Sequence, residues 1–270
     1  MPSDSQRILK TAVEAARKAG VYLLDNWGKV NIEAADEKKK NDFVTYVDKT
    51  SEKMIIEYIL SQFPDHQILA EEGGKHQTGS DYQWIIDPLD GTTNFIRHIP
   101  VFAVSIAVKH HNEIIAGVVF NPVENELFSA AQGQGAHLNG TSIHISRVTD
   151  FSRAFLATGF PHQSKRFLPQ FIRSFSDIFF YSAGVRRLGS AALDLCYTAC
   201  GRFEGFWEIG LNPWDVAAGS LIVREAGGII SDFWGKPTHL DSGFVVAGNS
   251  TIHKQLINIL SIYFEGSSHE

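Results

Sequence analysis

The chain has 270 residues, 44% of them hydrophobic, 20% charged and 11% aromatic, including 19 phenylalanines and five tryptophans. That supply of apolar side chains suits a large core and excludes a disordered chain. A net charge of −6 argues against a nucleic-acid surface, which needs a basic footprint, but leaves room for a phosphorylated small molecule if a metal ion supplies positive charge locally.

Ile8, Ala12, Ala15, Ala19 and Leu23 recur at helical spacing behind Ser3, Asp4 and Ser5. This predicts an amphipathic first helix with its own caps, not a targeting peptide. No apolar run approaches the ~20 residues a bilayer span needs. Cys196 and Cys200 are four apart and read as reduced thiols on one helix face. The expectation is a soluble, cytoplasmic protein. Lys38, Lys39 and Lys40 read as a solvated loop, and residues 43–47 as a β-prone run ending at Asp48. Ile55, Ile59 and Phe63 mark a second helix stopped by Pro64. Residues 67–70 and 84–86 read as short strands opening onto Glu71 and Asp87.

Residues 102–108, 114–120 and 126–131 are β-rich and separated by turn dipeptides, with Asn139-Gly140 a strong tight-turn signal. They predict an antiparallel meander, with His110, His111 and His144 on its surface. Beyond residue 150, strands at 155–157, 203–208, 229–233 and 244–247 alternate with helices around 167–175, 190–199, 214–226 and 252–263. Gly227-Gly228 stops the third of these helices. Residues 1–148 are expected to form an α+β half with the antiparallel sheet and most metal ligands. Residues 149–270 are expected to form an α/β half with the substrate pocket and Asp215. Both halves are expected to share one large sheet system, with no internal repeat.

Acidic residues fall at predicted strand ends in four places: Asp48, Glu71, the pair Asp87 and Asp90, and Asp215. In Asp87-Pro88-Leu89-Asp90-Gly91-Thr92 an apolar strand delivers Asp87, Pro88 fixes a turn, and Asp90 follows three residues later. Two carboxylates that close repel and would take up a proton unless a cation intervenes. Oxygen-only ligation selects Mg²⁺ over zinc, and the Leu89 carbonyl is a candidate further ligand. The N–H groups of Gly91 and Thr92, at a helix start, suit a phosphate. Either aspartate alone is equally an ordinary turn former, but residues 84–95 together are longer than a turn requires. Asp215 also reads as a helix N-cap, Asp48 as a cap of the following helix, and Glu208 as a surface glutamate. Arg186 and Arg187 read as a solvated strand end, with contact to a substrate phosphate or a partner subunit as the alternative.

Four stretches together resemble the inositol monophosphatase family: DFVTYVD at 42–48, EEGG at 71–74, WIIDPLDGTTNFIRHIPVFAVSIAV at 84–108 and NPWDVAAGSLIVREAGG at 212–228. RRLGSAALDL and GRFEGFWEIG bring the likeness nearest to the bacterial inositol-1-monophosphatases. The resemblance spans nearly the whole chain and implies a layered αβαβα sandwich of the fructose-bisphosphatase-like fold. It implies a lithium-sensitive phosphoric monoester hydrolase using two or three Mg²⁺, with inositol 1-phosphate as first candidate substrate. Glu71, Asp87 and the Leu89 carbonyl would then hold one ion, and Asp87, Asp90 and Asp215 a second, with a third near Glu71. Thr92 paired with Asp48 would activate water, and the amides of Gly91 and Thr92 would hold the phosphate. Gly189, Ser190, Ala191, Glu208 and Asp215 would contact the polyol. Many relatives carry a supporting lysine upstream of the DFVT stretch, and Lys38 is the choice among three adjacent lysines here. Fructose 1,6-bisphosphate, nucleotide 3′-phosphates and histidinol phosphate are alternative substrates. The family also implies a homodimer. A reading of another class is an RNA-processing or transcription accessory factor acting through protein contacts. No membrane contact and no direct nucleic-acid binding are expected.

Overall fold

The computed structural model describes residues 4–30, 36–39, 42–162 and 164–265. Helical spacing of small and aliphatic residues produces α1 (Asp4–Asn26), which buries Ile8, Ala12, Ala15, Ala19 and Leu23. An antiparallel pair, β1 (Asp36–Lys39) and β2 (Asp42–Val44), leads into α2 (Tyr46–Gln62), which ends ahead of Pro64. Lys38 and Lys39, expected in a loop, therefore lie in a strand, because the segment finds a pairing partner in β2. Ser3 and Lys40 lie outside the described residues.

There follow β3 (Gln67–Ala70), β4 (Lys75–His76), β5 (Tyr82–Asp90) and a short helix, α3 (Thr92–Ile96). The expected meander comes next: β6 (Ala103–His110), β7 (Glu113–Asn121), β8 (Glu126–Ala131), β9 (Ala136–Leu138) and β10 (Thr141–Ile143). Asn139 and Gly140, both at positive φ, turn the last pair. Beyond them lie β11 (Phe155–Thr158), α4 (Leu168–Tyr181), β12 (Gly184–Arg186), α5 (Ala191–Ala199) and β13 (Gly205–Ile209). The chain then runs through α6 (Pro213–Glu225), β14 (Ile229–Ser231), α7 (His239–Ser242), β15 (Phe244–Gly248) and α8 (Ser250–Tyr263).

Among the described residues the expected single sheet system is two large sheets, apart from the β1–β2 pair. One has eight strands in the order β10-β9-β8-β7-β6-β5-β3-β4, the other five in the order β12-β11-β13-β15-β14. Each has two apolar faces that need cover, and α5 and α6 lie between them. Trp84 and Ile86 of β5 face α1 and α2, while Ile85 faces the middle helices. In the second sheet Phe206, Val245 and Ala247 face the middle helices. Trp207, Phe244 and Val246 face outward onto α4 and α8. The result is the layered αβαβα sandwich that the sequence resemblance implied.

Close contact in the middle depends on small residues. A Cβ on Gly117 of β7 would lie 2.8 Å from the Ala218 carbonyl oxygen of α6. The layering brings the end of β5 and the N-termini of α5 and α6 to one place. Among the described residues no helix is long and apolar enough to cross a membrane. Cys196, buried in α5, and Cys200, at its C-terminal cap, are both free thiols.

Candidate active site

Asp87 and Asp90 are three apart, and a regular strand would send them to opposite faces. The structure removes that conflict with a bulge. Asp87 pairs with Ser105 and Asp90 with Ala103, so three steps along β5 oppose two along β6. The strand therefore runs on through Pro88 to Asp90 instead of stopping at Ile86. Ser51 of α2 donates to the Pro88 carbonyl at 3.1 Å, and Leu89 N–H donates to Asp87 Oδ1 at 2.9 Å. Gly91 follows at φ 95°, a left-handed conformation that favours glycine. A Cβ there would also lie 3.0 Å from the Val101 carbonyl oxygen.

Asp90 reaches the second half of the chain. Its Oδ2 accepts from Ser190 Oγ at 2.6 Å and from Ala192 N–H at 2.8 Å, at the start of α5. Asn94 reinforces the junction by donating to the carbonyls of Val101 at 2.7 Å and Leu188 at 2.9 Å. Asp215 stands at the third helical position of α6, and its Oδ2 accepts from Asn212 N–H at 2.7 Å. The cap of that helix is thus Asn212, and Asp215 closes its capping box from within.

Asp48 likewise belongs to a helix and not to a strand end. In the capping box of α2 its Oδ2 accepts from Thr45 N–H at 2.9 Å and Thr45 Oγ1 at 2.5 Å. Its Oδ1 accepts from Thr92 Oγ1 at 2.9 Å. The same hydroxyl lies 3.1 Å from the Leu89 carbonyl oxygen. The cap reading and the pairing with Thr92 hold together.

The electrostatics are those of acids held near one another out of water. Desolvation pushes Asp87 well above the usual carboxylate range, and the charges of Glu71, Asp90 and Asp215 push it further. Desolvation also raises Asp215 well above that range, with Asp90 and Glu71 adding to it. Asp90 is raised to about 6, again chiefly by desolvation, against the hydrogen bonds from Ser190 and Ala192. Asp48 is raised by burial despite its three partners. No three of these carboxylates bring oxygens all within 4.8 Å of one another; among the described residues that spacing is met by Asp81, His110 and His111, elsewhere in the fold. The acidic group is coupled through charge. Its donors are all oxygen, and their unfavourable ionisation is what a hard divalent cation relieves, so Glu71, Asp87, Asp90, Asp215 and the Leu89 carbonyl fit Mg²⁺.

Beside this group lies a cleft of about 130 Å³. It is lined by Asp90, Gly189, Ser190, Ala191, Glu208 and Asp215, all singled out from sequence, and also by Gly159, Arg187, Asp194 and Leu211. Glu208 is raised to about 8 by desolvation, which Arg187 opposes and Asp90 reinforces. Arg187, read from sequence as a solvated strand end, is exposed yet lines the cleft and lies 3.3 Å from His162 Nε2. Asp194 was missed altogether. It is 1% exposed, and its Oδ1 has no hydrogen-bond partner. Desolvation and the charge of Glu208 push it well above the usual range. The available signal was an acid inside the apolar run Ala191-Ala192-Leu193-Asp194-Leu195-Cys196. Gly159 had no such signal, since only the folded chain sets it against Glu208.

A sequence model described as the inositol monophosphatase family matches residues 4–264. The chain belongs to the inositol monophosphatase family. Among its relatives is Nus factor SuhB of Escherichia coli strain K12, 49% identical over 251 residues, 93% of this chain and 94% of that protein. The extragenic suppressor protein SuhB of Bartonella henselae superposes with a TM-score of 0.91 at 37% identity, covering 96% of this chain and 99% of that one. The inositol monophosphatase of Anabaena (Nostoc) sp. PCC 7120 superposes at 0.86 with 38% identity, covering 96% and 97%. Members of the inositol monophosphatase family thus share both the layered fold and nearly the full length of the chain.

Proposed function

We propose that the protein is a Mg²⁺-dependent phosphatase that hydrolyses the phosphate monoester of a polyol, with inositol 1-phosphate as its substrate. The observation that carries this reading is the charge-coupled group Glu71, Asp87, Asp90 and Asp215, set beside the Thr92–Asp48 pair. Family membership and the name of the Anabaena relative support the substrate class.

The carboxylates and the Leu89 carbonyl would hold two or three Mg²⁺. When bound, Mg²⁺ supplies the positive charge that offsets their repulsion, acidifies water and stabilises the departing alkoxide. Thr92 Oγ1, donating to Asp48 Oδ1, turns its lone pairs toward the attacking water and receives its proton. Asp48, with its proton affinity raised by burial, takes the Thr92 proton in turn. The N–H groups of Gly91 and Thr92 bind the phosphoryl oxygens. Ser190 and Ala191 shape the polyol side of the cleft, and Glu208 accepts hydrogen bonds from substrate hydroxyls. The same reading takes the protein as a lithium-sensitive cytoplasmic homodimer.

The test is phosphate release from inositol 1-phosphate with Mg²⁺ and with EDTA. Release that is indifferent to EDTA overturns the reading. The name of the Escherichia coli relative favours a second one, a transcription accessory factor acting through protein contacts. Asp90→Asn separates the two: full complementation of a deletion strain by this variant supports protein contacts over catalysis.

A further inference from the structure

At the other end of β5, Asp81, His110 and His111 bring one ligand atom each to within 4.8 Å of the others. Asp81 precedes β5 and Asp87 lies six residues on, so the group stands about 20 Å along the strand from the acidic site. Consecutive strand residues normally point to opposite faces. Here His110 ends β6, and His111 takes a left-handed φ of 52° in the turn to β7. The alternation is broken, and the two imidazoles lie side by side with ring centroids 4.2 Å apart. His111 N–H donates to the Asp81 carbonyl at 3.0 Å, which ties the turn to the start of β5.

His111 and Asp81 are exposed, whereas His110 is half-buried and held in place. His110 is the cross-strand partner of Tyr82 and stacks on its ring at 4.2 Å. Tyr82 stacks in turn on His66 at 4.7 Å, and His66 Nδ1 accepts from the indole N–H of buried Trp84 at 3.0 Å. A ladder of rings rooted in the core therefore supports His110. His111 Nδ1 lies 3.5 Å from Asp81 Oδ1. A tetrahedral zinc centre with bonds of about 2.0–2.1 Å has ligand–ligand edges of about 3.3–3.4 Å. Two imidazoles with one carboxylate suit Zn²⁺ or a neighbouring transition metal, whereas Mg²⁺ prefers oxygen alone.

We propose that Asp81, His110 and His111 form a Zn²⁺ site, separate from the acidic site, that pins the β6–β7 turn to the start of β5. Three protein ligands leave a fourth position for water. The site asks nothing of the phosphatase reading and stands or falls apart from it.

The experiment is zinc titration of the full chain without a histidine tag, in excess Mg²⁺, against a chromophoric chelator, with thermal melting in parallel. The expected result is one zinc equivalent that raises Tm, with Asp90→Asn retaining it. His110→Ala, His111→Ala and Asp81→Ala should each weaken it by at least about tenfold. Cobalt should give the visible absorption of a tetrahedral centre in the wild type and lose it in His110→Ala. Failure of the wild type to compete with the chelator, or zinc binding unchanged in both histidine variants, overturns the proposal and leaves His111 and Asp81 as an ordinary surface pair.

Discussion

Gly159→Ala tests the cleft with one methyl group. The Cβ would lie 1.9 Å from Glu208 Oε1 and 2.0 Å from its Cδ. An ordinary contact begins near 3.4 Å, so the carboxylate must retreat by about 1.5 Å. Glu208 is the far end of a flexible side chain, so this displacement costs the fold little. It costs the substrate more, because a hydrogen bond does not survive a shift of that size. Losing one from a carboxyl raised to about 8 is worth about 0.5–1.5 kcal/mol at neutral pH, or roughly 2- to 12-fold in kcat/KM at about 1.4 kcal/mol per decade. The loss should appear with inositol 1-phosphate and not with p-nitrophenyl phosphate, which has no neighbouring hydroxyls for Glu208 to bind. The assay is steady-state phosphate release from both esters at saturating Mg²⁺, with Tm as the folding control. Equal losses on both substrates would mean that the methyl disturbs the phosphate or metal region. An unchanged kcat/KM for inositol 1-phosphate would remove Glu208 from the polyol contact.

Thr92→Val removes the hydroxyl between water and Asp48, and kcat should fall by about 10²–10⁴ with KM little changed; Thr92→Ser should restore most of the activity in the same assay. Glu208, raised from 4.5 to about 8, holds its proton more tightly in the folded chain than in the unfolded one. Its contribution to stability is therefore fully present below about pH 4.5 and is lost as pH rises through about 8. Melting in EDTA should show Tm falling across that interval, and Glu208→Gln should flatten the fall; a wild-type Tm that rises would contradict the assigned burial. Gly117→Ala forces β7 and α6 apart at a backbone contact, and should lower the urea-unfolding free energy by about 1–3 kcal/mol, read from the denaturation midpoint.

The fold was legible where pattern and chemistry coincided. Period-3.6 spacing gave α1, and β-rich runs separated by turn dipeptides gave β6 to β8 close to their observed limits. The division into two sheets came with the family resemblance and not from the residue pattern, because a helix layer such as α5 and α6 betrays its depth only through small residues like Ala218 and Gly219, which also occur in ordinary helices. In the site, Asp87 and Asp90 stood out because they share one short motif. Asp194 and Gly159 act through neighbours distant in sequence, and no local pattern carries that information. Arg187 went the other way: an exposed strand-end cation is bland in sequence and meets Glu208 only when β12 and β13 pair through β11.

The acids of the site are also structural, and this makes their geometry dependable. Asp215 spends Oδ2 on the start of α6, Asp90 spends Oδ2 on the start of α5, and Asp87 spends Oδ1 on Leu89 N–H. In each case these hydrogen bonds fall on one oxygen. The other is aimed by a side chain that the fold has already fixed, so little rotamer freedom is left to lose when a ligand is held. Asp48 differs, with Thr45 on one oxygen and Thr92 on the other, so both of its oxygens are engaged within the fold. Reading such residues as caps or as ligands is a false choice. A capping box is a cheap way to immobilise a carboxylate, and immobilised carboxylates crowded beyond their comfort are what attract a divalent cation.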